Sequence, residues 1–543
     1  MLSLIISLLV AAFFGWFNYY FFLPAMNPAS AGFWLWLIVT YTWFYVCLWL
    51  TGFLDNKKIF TTRDSRNMAK YLTTIILATP VVLLVIFSFS GAKIFHASAY
   101  SKVATVETAN FSDLIIQSDK VDDIALMDTE TARYFGERAL GELETLVSVY
   151  DVEEQYTTIA LKGKPMKVSS LRYDSFFKYL KNKESGIPGY MMVDPVNNTA
   201  KYISLENTIK YAPSACFSYD LYRTLRFYDP TAIYGATYFE VDEDGIPFWV
   251  TPVLRPTIGM FAGRVIDGAV ITDAATGKCT YYELSEIPTW VDIVYDGDMI
   301  STWYNWKGTL SNGYWNSWFA QTGCTQTTDD FGYKVIGEDV YIYTGITSCN
   351  SNASAIAFLL ANSRTGQMVT MQLAGADEHS AMDAAMGEVS DYGWVASFPS
   401  IVNINGEPAY LMVLKDESNI VKRYALVNIK SYNIVAVDTT QKKVLAKYVA
   451  LLNGEDEETA QEAADEVVET KEEVIPDTVQ EKEIVIGSIE FIVNGGDTTC
   501  YIKDIEGNVY KMPFDEALML TNPGDTLNIT YDPGTISKIY KIN

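Results

Sequence analysis

The chain reads as an α+β protein in three parts: an N-terminal three-helix membrane anchor, an outer region of repeated helix-plus-antiparallel-hairpin units, and a small C-terminal β barrel. Three observations predict this. Three apolar runs fill the first 97 residues, strand patterns joined by Asp- or Asn-containing turns recur through residues 98–450, and five β-patterned segments follow an acidic stretch near the C-terminus. The expected boundaries are 1–97 for the anchor, 98–210 for a first α+β unit, 211–350 for a middle β-rich unit with a Trp-rich insertion, 351–450 for a second α+β unit, 451–483 for an acidic linker and 484–543 for the barrel.

A length of 543 residues leaves room for two to four folded units. The net charge of -26 opposes phosphate backbones, so no nucleic acid partner is expected. Only two histidines, His96 and His379, are present, which leaves little room for the usual proton-transfer chemistry, and both are expected to be non-catalytic. The six cysteines lack CxxC spacing. No metal or cofactor is expected.

In the anchor, residues 2–26 end in Trp16, Phe17, Tyr19, Tyr20, Phe21 and Phe22, and the run is long enough for the roughly 20 helical residues a bilayer core requires. A cleaved signal peptide is the rival reading, but there is no basic leading segment and no clear small-residue cleavage site. Residues 33–54 form a second span carrying Trp34, Trp36, Trp43 and Trp49; residues 73–95 form a third, with a bend expected at Pro80. No span holds an ionisable residue deep inside, which favours anchoring over transport. The connection 55–72 carries Lys57, Lys58, Arg63, Arg66 and Lys70, and short basic connections stay cytoplasmic. The expectation is a multi-pass cell-membrane protein with a cytoplasmic N-terminus and everything after residue 95 extracytoplasmic.

Beyond the anchor, Asp128 is placed to cap a helix with Ala132, Phe135, Ala139, Leu140 and Leu143 at helical spacing. Strands are expected at 156–161 and 166–171, a short helix at 175–181, and a hairpin at 190–205 turned by Asp194-Pro195-Val196-Asn197-Asn198. The same order returns at 380–437: a helix at 380–390, strands at 394–404 and 408–414, and a hairpin at 424–437. Two more hairpins lie at 268–284, around Asp273, Thr276 and Gly277, and at 357–373, around Asn362, Thr365 and Gly366. Asp or Asn closes such a turn on its own backbone, and Gly supplies the positive φ.

A strand, Asp or Asn, two residues, Thr-Gly and a second strand, following a helix and two strands, resembles the PepSY-type domain. Residues 380–437 match this order and residues 128–206 match it more loosely, together about a quarter of the chain; the last hairpin has Asn428-Ile429-Lys430-Ser431-Tyr432 where Thr-Gly belongs. PepSY-like domains are extracytoplasmic interaction and regulatory modules, some associated with peptidases, and the resemblance implies that role.

The middle unit holds Trp290, Trp303, Tyr304, Trp306, Tyr314, Trp315 and Trp318 among Asn, Gly and Ser residues that suggest a loop. Two readings stand for these rings: packing between units, which is preferred, or a partner- or ligand-binding surface. If the outer region binds anything, Trp303, Tyr304, Trp306, Tyr314, Trp315 and Trp318 are the first candidates. Glu240-Val241-Asp242-Glu243-Asp244-Gly245 suits the first half of a calcium loop, yet Thr251 stands where its bidentate Glu belongs, so a hairpin turn is expected. Cys324 and Cys349 close the shorter loop among the outer cysteines and form the candidate disulfide, with free thiols as the alternative.

Residues 455–483 are dominated by Glu and Asp; like charges at helical spacing oppose a helix there, and an extended tether is expected. In the last segment, three strands, a helix at 514–520 and two strands follow the order of a small OB-like barrel, in which acidic residues outnumber Lys503, Lys511, Lys538 and Lys541. Protein contact or a structural cap is its expected role.

Two functions follow. The first is a non-enzymatic, membrane-anchored cell-envelope protein acting as an extracytoplasmic interaction, scaffold or regulatory module, in contact with the lipid bilayer and with an envelope protein or a second copy of itself. The alternative is an envelope glycan or peptidoglycan hydrolase using paired carboxylates, with Asp292, Asp296 and Asp298 as candidates.

Overall fold

Three apolar helices open the chain: α1 (Leu2–Phe22), α2 (Ala31–Leu50) and α3 (Arg63–Ser90), each long and apolar enough to cross a membrane. The computed structural model describes residues 2–56, 59–115, 124–350, 354–467, 480–494, 497–513, 524–532 and 537–542, in two bodies, Met1–Val467 and Val468–Asn543. Within the first, α1 and α2 pack closely: Trp36 donates its indole N–H to the Gly15 carbonyl at 2.8 Å, and Phe14 stacks on Trp43 with centroids 3.9 Å apart. α3 begins well before the expected position 73, because Thr62 and Ser65 form a reciprocal capping box; much of the expected loop is helix. It continues through Pro80 to Ser90. α4 (Lys93–Tyr100), β1 (Val106–Ala109) and α5 (Phe111–Leu114) lead away from the spans.

Among the described residues, 129–438 repeat one plan four times: a helix, an edge strand broken in two, a long central strand, and two further antiparallel strands. Unit one has α6 (Thr129–Gly141), a turn of helix α7 (Glu144–Val147), the broken strand β2 (Tyr150–Val152) and β3 (Thr157–Leu161), then β4 (Lys164–Tyr173), α8 (Phe176–Asn182), β5 (Ile187–Asp194) and β6 (Thr199–Ile209). Unit two has α9 (Leu221–Tyr228), β7 (Ile233–Tyr234), β8 (Tyr238–Val241), β9 (Pro247–Ile258), β10 (Ala262–Asp273) and β11 (Cys279–Glu283). Unit three has α10 (Gly297–Leu310), α11 (Tyr314–Trp318), β12 (Thr325–Thr327), β13 (Gly332–Ile336), β14 (Asp339–Ser348), β15 (Ala355–Asn362) and β16 (Met368–Gly375), with β1 added in parallel beside β16. Unit four has α12 (Glu378–Gly387), β17 (Val395–Ala396), β18 (Ser400–Ile404), β19 (Glu407–Lys415), β20 (Val421–Asn428) and β21 (Val435–Asp438). In each sheet both halves of the broken strand pair with the same central strand. The hairpin 357–373, expected with the last unit, completes the third sheet.

The breaks are equivalent down to single hydrogen bonds. The N–H of Glu153 donates to the Ser170 carbonyl, Gly235 to Pro252, Thr328 to Gly345 and Ser397 to Val413, at 2.8–2.9 Å. A broken ladder orphans backbone groups, and hydroxyls occupy the gap. Ser169 donates to the Glu153 and Gln155 carbonyls, Thr251 bonds Thr237, Thr344 donates to the Asp330 carbonyl, and Ser397 accepts the Val413 N–H. The hairpin turns repeat as closely. Asp194, Asp273 and Asn362 each accept the N–H groups two and three residues ahead, while Asn428 accepts that of Ser431. Gly277 and Gly366 supply the positive φ, and Asn198 does so in unit one. The fourth turn departs where the sequence does, and there Asn428 also bonds the Tyr448 hydroxyl of the following helix at 2.9 Å.

The sheets share cores in succession. One core joins units one and two through Val168, Tyr190, Leu221 and Trp249; a second joins two and three through Val250, Ile300 and Leu359; a third joins three and four through Phe358, Ala381 and Tyr410. Neighbours in one strand, Trp249 and Val250 or Phe358 and Leu359, therefore serve opposite cores, as the two-residue strand period dictates. Units four and one also meet: Lys415 donates to Asp128 at 2.6 Å and to Thr131 at 3.0 Å at the start of α6.

The acidic stretch is a correction. After α13 (Gln441–Leu452), the stretch from 455 begins with a second helix, α14 (Glu457–Asp465), where a tether was expected. Val444 and Tyr448 join Leu411 and Leu426 in a core on the outer face of the fourth sheet, while Ala460 and Ala464 bury fully and the carboxylates turn outward. Lys447 pairs with Glu457 at 2.5 Å. Of the rest of the expected tether, residues 468–479 lie outside the described residues and residues 480–483 open the first strand of the barrel.

In the second body β22 (Gln480–Asn494), β23 (Asp497–Asp504), β24 (Val509–Pro513), β25 (Thr526–Asp532) and β26 (Ser537–Ile542) form a closed barrel in the order β22-β23-β24-β26-β25. Ile484, Ile486, Cys500, Ile502, Tyr510 and Ile529 fill it. The helix expected at 514–520 lies outside the described residues.

Candidate functional site

The Trp-rich stretch is helical where a loop was expected. Asp296 caps α10 by accepting the Met299 N–H at 2.7 Å, and its second oxygen accepts the Tyr238 hydroxyl at 2.9 Å. Along α10 the rings turn inward: Trp303 and Tyr304 are each 7% exposed, Trp303 donates to the Arg264 carbonyl, and Trp306 packs edge-on against Tyr100 at 4.8 Å. After Gly313, at φ 88°, the pattern reverses. Tyr314 leans into the cluster around Tyr100, but Trp315 and Trp318 are 62% and 68% exposed. The six candidate residues thus divide between a core and a surface.

A groove of about 400 Å³ runs beside α10, lined by Met299, Thr302, Trp303 and Trp306 with Asp296, Asp298, Tyr100, Phe261 and Arg264. Beyond Asp298 and Thr302 lies a polar depression of about 250 Å³ lined by Ser301, Asn305, Gln326, Thr327, Thr328 and Asp329. The apolar groove is next to the end of α3, where Phe261 meets Phe87 edge-on. An amphipathic ligand or a peptide side chain fits such a gradient better than a small polar substrate.

Of the three candidate carboxylates, Asp296 and Asp298 line the same groove and Asp292 lies apart from them. Asp296 is occupied as a cap, Asp298 is exposed in the groove, and Asp292 is 3% exposed, beside Glu240. Glu240 is fully buried and accepts the N–H groups of Asp292 and Ile293 at 2.8 and 2.9 Å, which commits it inside the fold rather than to a calcium loop; the expected hairpin turn joins β8 to β9. One oxygen of Asp292 accepts the Ala160 N–H at 2.9 Å, and the other has no hydrogen-bond partner. Burial pushes Asp292 up to about 7, with Asp339 raising and Arg364 lowering it, while burial and then the Asp292 charge push Glu240 well up. Glu240 was missed as a site residue because its place in an acidic turn motif suggested solvent, and alternation with Phe239 and Val241 puts it on the opposite face; it is buried because this sheet is covered on both faces, which no local signal gives.

Cys324 and Cys349 stand opposite each other where β12 and β14 end, with the Cys349 N–H on the Cys324 carbonyl at 3.1 Å; both are free thiols. Cys324 is buried, with its sulfur near the Thr309 carbonyl and the Asn316 amide. Neither a protein-family model nor a curated protein matches the chain.

Proposed function

We propose that the chain is a non-enzymatic, membrane-anchored module of the cell envelope that presents its outer region to a protein partner or to a second copy of itself. The observation that carries this reading is the fourfold repeat. Stacked units of one plan make a scaffold whose stability comes from neighbour contacts, leaving surface features such as the α10 groove free to vary. Arg63, Arg66 and Lys70 at the start of α3 support a cytoplasmic α2–α3 connection and an extracytoplasmic outer region. The helix-then-strands order supports the PepSY-like assignment of the units, and the parallel β24–β26 contact closing the barrel supports an OB-like assignment of the last domain.

The hydrolase reading requires two carboxyls facing one cleft. Asp296 and Asp298 line the α10 groove, but Asp296 is engaged on both oxygens and Asp292 is enclosed elsewhere, an arrangement that favours binding. Crosslinking in intact membranes followed by affinity purification is expected to recover one defined envelope protein or a dimer of the chain. Recovery of only indiscriminate membrane proteins under several crosslinkers would overturn the proposal.

A further inference from the structure

The outer stack is fastened to the ends of the spans by specific bonds. Arg223 donates to the Tyr20 carbonyl at 3.3 Å and lies over the Tyr20 ring, and Arg226 donates to the Leu23 carbonyl at 3.0 Å. Both come from α9, and together they satisfy carbonyls that the end of α1 leaves without helical partners. At the end of α3, the Met260 N–H on the β9–β10 turn donates to Ser90, and Tyr100 donates to the Gly91 carbonyl. These contacts fix which edge of the stack faces the anchor.

That edge is unusually apolar. On one side α11 lies against α4, with Trp315, Trp318 and Phe319 62%, 68% and 79% exposed and Phe95 of α4 75% exposed. On the other side, α8 keeps only Tyr179 buried and turns Phe176, Phe177 and Leu180 outward, with Lys181 among them. Phe176 touches Phe217, whose carbonyl accepts a bond from Arg223, and Phe227 of α9 stacks on Tyr19 of α1. The two patches therefore flank the points where α1 and α3 leave the apolar bundle. A chain of net charge -26 places the exposed Lys93 and Lys181 on α4 and α8, while Lys178 pairs with Asp174 and Arg223 and Arg226 are buried against backbone carbonyls.

We propose that the edge formed by α4, α8, α9 and α11 lies in the headgroup layer of the bilayer that holds α1–α3, its aromatic rings at the boundary between lipid tails and water. Aromatic side chains with an apolar body concentrate at this depth, and exposed Lys side chains beside them reach anionic headgroups. The occupant is lipid because the patches continue the surface of the spans themselves. The consequence is a fixed orientation: the outer stack rests on the membrane, and the α10 groove opens close to the bilayer surface. This inference rests on the reading that α1–α3 cross a bilayer.

The test uses the full chain in native membranes, with the photo-crosslinker p-benzoylphenylalanine placed singly at Trp318, Phe177, Val82 and Tyr432. Val82 is 53% exposed on α3 and reports whether the spans meet lipid; Tyr432, 61% exposed on the β20–β21 turn, is the comparison for an aromatic elsewhere on the stack. Lipid adducts at Trp318 and Phe177, several-fold above those at Tyr432, are expected by mass spectrometry. Adducts at Val82 with Trp318 and Phe177 no higher than Tyr432 would overturn the surface alone, whereas their absence at Val82 would overturn the anchoring reading. Protein adducts in place of lipid at Trp318 would overturn it in favour of a protein partner.

Discussion

Replacing Asp292 with Asn should remove one share of the pH dependence of stability that the wild-type protein carries near neutrality. Asp292 and Glu240 are taken out of water together, and two like charges so placed hold protons that the unfolded chain would release. With Asp292 at about 7 in the fold against 3.8 ordinarily, the folded state binds the extra proton between those values. The derivative of unfolding free energy with pH is then negative: stability is fullest at the acidic end and is lost as pH rises through the folded value. Between about pH 5.5 and 7.5 this one group changes stability by about 2 kcal/mol. The window is chosen for the other groups. Asp128 and Asp438 are held below the ordinary carboxylate range, and the buried Lys167 and Lys334 are pushed down to about 8, where their opposite contribution begins. Asp339, Arg364, Glu243 and Glu338 surround the pair or line the small cavity beside it and remain in both proteins. Urea unfolding of the full chain in detergent, followed by tryptophan fluorescence at several pH values, should show the wild-type midpoint rising on acidification more steeply than the Asp292→Asn midpoint, which keeps the slope that burial of Glu240 and Glu378 gives both proteins. Equal slopes in the two proteins would refute the reasoning.

Three further outcomes follow. Tyr156 buries a hydroxyl without a partner, directly where a Cβ on Gly136 would stand; Tyr156→Phe should stabilise by about 1 kcal/mol and Gly136→Ala should destabilise by about 1–3 kcal/mol, both read from denaturant midpoints, and the double variant should recover part of the loss. Under mild oxidation Cys324 and Cys349 should pair, lowering the titratable thiol count by two and stabilising the outer region by about 3–4 kcal/mol for a loop of this length; Cys349→Ser should abolish both changes. Arg226→Ala removes a buried, charge-assisted contact to the end of α1, at a cost of about 1.5–3 kcal/mol, and hydrogen exchange should increase at residues 20–27 while β19 and β20 keep their protection.

The spans, the capping role of Asp128 and the hairpin turns were legible because each is a local signal: an uninterrupted apolar run, an acceptor before a helical period, an Asp or Asn two and three residues from the amides it binds. The number of repeats was not, since units two and three have their helices and broken edge strands in segments with weak local patterns. β7 spans only Ile233–Tyr234, and the breaks at 235–237 and 328–331 interrupt the alternation that marks a strand. The helicity of 297–310 depends on Asp296, whose capping role was overshadowed by the Trp, Asn and Gly content that follows. In 457–465 the count of carboxylates outweighed Ala460 and Ala464, although a four-residue spacing of small residues on one face is what lets a charged helix dock. Glu240 and Asp292 could not be paired from sequence because only the tertiary fold brings β8 beside the connection after β11.

The repeat also accounts for where the surplus aromatics lie. A sheet in the middle of the stack is covered on both faces, and the helix of the next unit, α9, α10 or α12, fills the space between. Rings on the inward side of those helices, such as Trp303 and Tyr304, are consumed by that packing. The outer face of the fourth sheet has no following unit, and α13 covers it with Val444 and Tyr448, backed by α14. The helices that lie at the anchor-facing edge have no such neighbour, yet there the sequence supplies Phe177, Trp315, Trp318 and Phe319 instead of the polar residues that would ordinarily meet water. A surface that needed only solubility would not keep that composition where the chain is otherwise strongly acidic, so the aromatic surplus belongs to the same physical problem as the three spans: holding the outer stack at a lipid boundary.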